Sequence, residues 1–204
     1  MGPRVAAALV LVSLLLVVAL PHGAAALRPA LSRPLLDVFP QFGFITPAPY
    51  TAHAKGAGLK AAVCKARVCR HGGSYGLRLE YVMPRGTWGS YNVDWAGKFG
   101  VSRASYLEVW VKGSRGGERF ELVLWSTCKA GFPGRPESAL ISAGTSWERR
   151  RVALADFRAY SDVSSLCRVS IGFNDAIHPG GTVFIDDVAF VDGRGRPVRV
   201  VSRP

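Results

Sequence analysis

The stretch YLEVWVKGSRGGERFELVLWS, residues 106–126, reads as two strands separated by a glycine-rich turn. Leu107, Val109 and Val111 fall on one side, with Tyr106, Glu108, Trp110 and Lys112 on the other. Phe120, Leu122 and Leu124 likewise oppose Glu121, Val123 and Trp125. Successive side chains of a strand point to opposite faces, so this period-two pattern describes strands buried on one face. The GSRGG run at 113–117 offers hairpin chemistry between them.

The pattern recurs on both sides: GLRLEYVM (76–83), YNVDW (91–95), ALISA (139–143), RRRVALADF (149–157), RVSIGFND (168–175) and TVFIDDVAFV (182–191). HPGG at 178–181 is a second candidate hairpin turn. No segment keeps a helical period over three turns, and residues 155–164 allow one short helical turn at most. Strands of this length and spacing predict an all-β, antiparallel β-sandwich of the jelly-roll type.

Upstream, residues 51–73 mix Gly, Ala, Lys and two Cys and read as loop-rich. Residues 27–50 hold Pro29, Pro34, Pro40, Pro47 and Pro49, which resist helix and predict an extended lead-in with one strand, Leu35 to Phe39. The sandwich is placed at 51–192, with strand 35–39 contributing to its core. The tail GRGRPVRVVSRP, 193–204, is basic and is expected to fray or lie on the surface.

Residues 1–26 read as a secretory signal peptide. Arg4 precedes an apolar run of 16 residues, Val5 to Leu20, and Ala24-Ala25-Ala26 suits cleavage after Ala26. The run is shorter than the roughly 20 residues that span a bilayer, and Pro21-His22-Gly23 breaks it. The expectation is a secreted, extracellular protein with no membrane span after cleavage. Cleavage leaves 178 of the 204 residues, enough for one domain, and loss of Arg4 takes the formal charge from +12 to +11. Such a surface suits acidic polymers such as acidic polysaccharide, teichoic acid or nucleic acid, or is a solvated basic face. Export turns the choice away from specific nucleic-acid binding.

Four cysteines remain: Cys64, Cys69, Cys128 and Cys167. In an exported chain they predict two disulfides, and three pairings are open. A local Cys64–Cys69 bridge with a long-range Cys128–Cys167 bridge is preferred. Zinc would recruit His71 beside Cys64 and Cys69, but that spacing is not a usual ligand pair and export favours oxidation.

Taken in order, YGLRLEY, WGSYNVDW, YLEVWVKG, FELVLW, ISAGTSWERRRVALADF, VSIGFND and GGTVFIDDVAFV resemble carbohydrate-binding modules of the galactose-binding-domain-like jelly-roll superfamily. The cues are Trp110-Val111-Lys112-Gly113, the Thr145 to Phe157 stretch and Ile185-Asp186-Asp187-Val188, and the resemblance covers about residues 35–191. It implies a polysaccharide or surface glycan as partner. It also implies a structural Ca2+ held by an acid of the last strand and groups of the first, here Asp186 and Asp37, because hard cations take oxygen ligands. The alternative for Asp186 and Asp187 is an acid pair bonding nearby backbone or Arg.

Sugar rings stack their C–H faces on flat aromatic rings, and polar groups bond their hydroxyls. Trp125 and Trp110 fall on outward faces of strands that are neighbours in sequence and are expected to form a platform, with Arg168, Glu108, Glu121 and Asn174 beside them. Trp88, Tyr91 and Trp95 crowd TWGSYNVDW and suggest an aromatic rim, with Trp95 assigned to the core and Trp147 to structural packing. The carbohydrate-binding candidates are therefore Trp125, Trp110, Tyr91, Trp88 and Asn174. The Arg149-Arg150-Arg151 run suits a polyanion or a charged sheet edge.

Catalysis is not expected. Glu80, Glu108 and Glu121 stand on separate strands, His53, His71 and His178 lie in predicted loops, and no nucleophile elbow, zinc helix, phosphate loop or dinucleotide fingerprint is present. Two other classes stay open: a structural or partner-binding jelly roll, and polyanion binding by the basic surface.

Overall fold

The computed structural model describes residues 38–42, 47–126, 138–157 and 162–203. The alternating stretches become strands because each can bury its apolar row. In β5 (Tyr106–Gly113), Leu107, Val109 and Val111 are fully buried while Tyr106, Glu108, Trp110 and Lys112 are half-buried. In β6 (Glu118–Trp125), Phe120, Leu122 and Leu124 are fully buried. Each such side chain contributes roughly 1.5–3 kcal/mol of burial.

The other strands are β1 (Pro47–His53), β2 (Gly58–Cys64), β3 (Gly76–Val82), β4 (Trp88–Gly100), β7 (Ser138–Ala143), β8 (Glu148–Ala153), β9 (Leu166–Asn174), β10 (Gly180–Val191) and β11 (Val201–Arg203). All pairings are antiparallel. One sheet runs β1-β4-β9-β6-β7, with β11 pairing β4; the other runs β2-β3-β10-β5-β8. The core lies between them, and its rings interlock: Tyr81 stacks on Phe173 at 4.1 Å, and Trp95 meets Phe39 and Phe99 edge-on. Trp95 is thus a core residue, as its parity predicts.

Among the described residues, only β2–β3 and β6–β7 are hairpins of consecutive strands; every other pair of consecutive described strands lies in different sheets. GSRGG and HPGG are therefore not hairpin turns. Each carries the chain across the sandwich, from β5 to β6 and from β9 to β10. At the first crossing Gly116 and Gly117 adopt φ of 81° and 82°, which disfavours any other residue. Glu118, 1 % exposed, holds this turn by accepting hydrogen bonds from Ser114 Oγ and Arg115 N.

Two other expectations are corrected and one is narrowed. The strand predicted at 35–39 does not form at its described end: Val38 and Phe39 are buried in the core but lead into a 3-10 turn, Pro40–Phe42. Residues 35–37 lie outside the described residues, as does the signal segment. The loop-rich reading of 51–73 fails because β1 and β2 run through it. Both are edge strands, where prolines are tolerated and where β2 buries little beyond Leu59. Of the two readings of the tail, the surface one holds and fraying does not: Gly193, Arg194, Arg196, Pro197 and Arg199 are exposed, while Val200 is 4 % exposed, Pro197 bridges Val191, and β11 pairs with Lys98–Gly100 of β4.

Gln41 ties the lead-in to this end of β10. Its Nε2 donates to Phe190 O (2.8 Å) and Val198 O (2.9 Å), and its Oε1 accepts from Phe190 N (2.6 Å). The amide side chain thereby takes the place of a neighbouring strand. Among the described residues no helix is long and apolar enough to cross a membrane.

Candidate functional site

The outward face of the β1-β4-β9-β6-β7 sheet gathers the densest set of aromatic and polar groups. Pairing sets Asp94, Arg168 and Trp125 in one row across β4, β9 and β6. The next row is Tyr50, Asn92, Ser170, Val123 and Ser138; the third is Ala52, Ser90, Gly172, Glu121 and Leu140. Adjacent strands lie about 4.8 Å apart, so these rows form a continuous surface. Tyr91, Val93 and Trp95 of β4 point into the core, which turns the intervening residues outward.

Arg168 is the centre of this face. Its Cζ lies 5.6 Å from the Tyr50 ring centroid and 5.3 Å from that of Trp125, so both rings flank the guanidinium. Asp94 fixes it through Nε and through Nη2 at 3.1 Å. Burial works against the guanidinium's charge, but the hydrogen bond and charge of Asp94 prevail and hold the Arg168 pKa above its ordinary value. Partial burial also raises the Tyr50 phenol, which stays a neutral hydrogen-bond donor.

Beneath the rings runs a hydrogen-bonded ladder. Trp125 Nε1 donates to Ser170 Oγ (2.9 Å), Ser170 Oγ donates to Asn92 Oδ1 (2.7 Å), and Asn92 Nδ2 donates to Ser90 Oγ (3.0 Å). Asn92 and Ser170 are 4 % and 2 % exposed, so this is a floor rather than a contact surface. A saturated ladder of this kind fixes the Trp125 ring. Tyr50 is 40 % exposed, Trp125 is half-buried, and Glu121, held by Ser138 Oγ at 2.8 Å, edges the surface.

The expected platform of Trp125 with Trp110 does not form. β6 and β5 belong to different sheets, so the two rings sit on opposite outward faces of the sandwich. Trp110 instead stacks on His71, with centroids 3.6 Å apart and planes 11° from parallel. Trp147 meets the same imidazole edge-on at 6.0 Å. Tyr91 points inward and is 3 % exposed, so its ring is unable to meet a ligand, and burial raises its phenol pKa. Trp88 and Asn174 are paired across β4 and β9; Trp88 is 51 % exposed, while Asn174 Oδ1 accepts from Ile177 N in the following turn. They extend the Tyr50–Trp125 sheet at its end.

Asp186 is 1 % exposed and faces N–H groups. Its Oδ2 accepts from His71 N (2.8 Å) and Gly72 N (3.1 Å), and its Oδ1 accepts from Asp187 N (2.9 Å). Asp187, at φ 48° on a bulge of β10, pairs with His71 Nδ1 at 2.9 Å. Backbone donors occupy the Asp186 carboxylate, which is the bonding to nearby backbone expected as the alternative to calcium. Among the described residues no group of three or more His, Cys, Asp or Glu is arranged to hold a metal. Asp37, the partner expected for calcium, lies outside them.

The three glutamates weighed for catalysis do not converge. Glu80 pairs with Arg78 and Glu108 with Arg151 on one sheet, with β10 between their strands, and Glu121 stands on the other sheet. Cys64 and Cys69 form a disulfide. Cys167 is also disulfide-bonded, and Cys128 lies outside the described residues.

Parity places Arg168 on the right face, but Tyr50, Asp94, Asn92 and Ser170 are not among the sequence candidates. Tyr50 hides in a proline-rich segment; the others are short polar residues whose role depends on strand order.

No protein-family model and no curated protein matches the sequence. Solved structures do match. A family 11 carbohydrate-binding module from Clostridium thermocellum, in complex with a beta-1,3-1,4-mixed-linked tetrasaccharide, superposes with TM-score 0.60 at 10 % identity over 71 % of this chain and 88 % of its own. A family 30 carbohydrate-binding module of a cellulosomal cellulase from the same organism gives TM-score 0.57 at 18 % identity, over 71 % and 91 %. At these identities the likeness is one of fold, and it is the jelly roll that the sequence segments imply.

Proposed function

We propose that the chain is an exported, non-catalytic carbohydrate-binding β-sandwich, and that its sugar platform is the outward face bearing Tyr50, Arg168 and Trp125. The observation that carries the reading is this cluster from two adjacent rows: two aromatic rings flank a buttressed guanidinium above a saturated polar floor. Rings and guanidinium held in advance cost little to order on binding. Pyranose C–H faces stack on Trp125 and Tyr50, and Arg168, Glu121 and the Tyr50 hydroxyl bond the ring hydroxyls. Export is supported by the 1–26 segment and the Cys64–Cys69 disulfide. The shared fold with modules described as carbohydrate-binding supports the class of ligand.

The test is retention on a panel of insoluble and soluble neutral polysaccharides. Wild type is retained on at least one; Trp125→Ala and Tyr50→Ala each weaken it about tenfold or more, the scale of losing one stacked ring and its neighbours. Trp110→Ala, on the opposite face, leaves retention unchanged. If the wild type is held by no glycan, or if Trp110→Ala is the only variant to fail, the assignment is wrong.

A further inference from the structure

The opposite sheet carries a feature that the proposed platform leaves unused. The Cys64–Cys69 disulfide closes a short knuckle over the outward side of β2-β3-β10-β5-β8, and residues 70–73 lie against β10 through the Asp186 bonds. A cavity of about 410 Å3 opens there, lined by Arg67, Arg70, His71, Gly72, Gly73 and Trp147. Arg149 stands directly across from Trp110 on β8, and Trp110 stacks under His71, so the third arginine belongs to the same patch.

Arg78, Arg150, Arg151, Arg168 and Arg196 each meet a carboxylate. Among the described residues Arg67, Arg70 and Arg149 lack an ion pair, as do Arg85, Arg103, Arg115, Arg119, Arg194 and Arg199; what sets the three apart is their gathering around one cavity and the Trp110–His71 stack. Arg70 is held by a bond from its guanidinium to Gly73 O, and Arg67 and Arg149 are exposed. The acids nearby are committed: Asp187 to His71, and Asp186 to backbone N–H groups. The patch thus joins unneutralised, fork-shaped donors to a tryptophan at the cavity wall. Guanidinium groups match sulfate and carboxylate oxygens in paired hydrogen bonds.

We propose that this disulfide knuckle, with Trp147 and Arg149, is a second ligand site that takes an acidic polysaccharide. The guanidinium groups grip a sulfate ester or uronate carboxylate while Trp147 borders the sugar ring. Only the choice of a glycan as carrier of the anion rests on the carbohydrate reading; the cation cluster stands without it.

The test uses equilibrium binding of the full chain to heparin, a sulfated polymer, and to polygalacturonate, a carboxylated one. A neutral mixed-linked β-glucan and double-stranded DNA run in parallel. At least one acidic polysaccharide binds, and Arg67→Ala with Arg149→Ala weakens it about tenfold or more, as expected for lost charge-assisted bonds. Trp125→Ala leaves that binding within about twofold, judged against the same scale. The preferred polymer tells sulfate from carboxylate. An unchanged thermal midpoint shows that the exposed arginines were not needed for folding. The proposal is overturned if neither acidic polymer binds or if the double variant binds as the wild type does. Equal binding of DNA, with equal loss in the variant, also overturns it. The neutral glucan with Trp125→Ala reports separately on the Tyr50–Trp125 face.

Discussion

Replacing Gln41 by Met keeps a long unbranched side chain and removes every polar atom. Gln41 makes three hydrogen bonds, to Phe190 N, Phe190 O and Val198 O. Phe190 O keeps a partner, because Val198 N also donates to it at 3.0 Å. Phe190 N–H loses the acceptor at 2.6 Å. A buried amide left unmatched costs about 1–3 kcal/mol, and the bond lost at Val198 O adds about 0.5–1.5 kcal/mol. The expected total is about 1.5–4.5 kcal/mol, or a fall of roughly 3–18 °C in melting temperature for a domain of this size. Thermal unfolding followed by far-UV dichroism measures the loss, and hydrogen exchange locates it: the Phe190 amide should exchange much faster in Gln41→Met. A melting temperature lowered by less than about 2 °C, with Phe190 still protected, would refute the view that Gln41 substitutes for a strand.

Other outcomes follow from the same geometry. Burial, with the charge of Asp187 adding and three N–H bonds opposing, pushes Asp186 up to about 6. The folded state then holds that proton more tightly than the unfolded one, so this contribution is greatest below about pH 4 and is lost as pH rises through 6. Relative to wild type, Asp186→Asn should gain about 2 kcal/mol between pH 4 and pH 7 in urea titrations, and a flat difference would count against it. Gly181→Ala places a Cβ 2.7 Å from Glu118 Cγ and should destabilise by about 1–3 kcal/mol, whereas Gly58→Ala, with nothing within 4 Å, should be neutral or slightly stabilising; chemical denaturation of the pair checks this. Ser170→Ala removes the Trp125 Nε1 acceptor and should weaken glycan retention with little change in fold, read out by calorimetry.

The strands from β3 to β10 were legible, the edge strands β7 and β8 among them, where an apolar row stands out against polar neighbours. β5 alternates residue by residue because both flanks and one face are fixed by packing, whereas β10 buries Val183 to Asp186 in succession ahead of its bulge. β1 and β2 were not legible because an edge strand tolerates Pro47 and Pro49 and buries one row weakly. Parity correctly turned Trp110 and Trp125 outward, but parity carries no information on which sheet receives a strand. GSRGG has the composition of a hairpin turn, and only the pairing of β5 with β8 and β10, and of β6 with β7 and β9, separates the two tryptophans. Asn92, Ser170 and Asp94 are ordinary polar residues until strand order sets them under Trp125 and beside Arg168.

The repeated crossing between sheets has a kinetic consequence. The two local hairpins, β2–β3 and β6–β7, fall in different sheets, so neither sheet can grow by adding the next segment of chain. β4 pairs with β1 and β9, and β5 with β8 and β10, and each of these partners lies across a long stretch of chain. Loop closure then precedes most of the reward, which places such topologies among the millisecond-to-second folders. Refolding of this chain should be slow and all-or-none, with its early time spent as a search and its two sheets completed together.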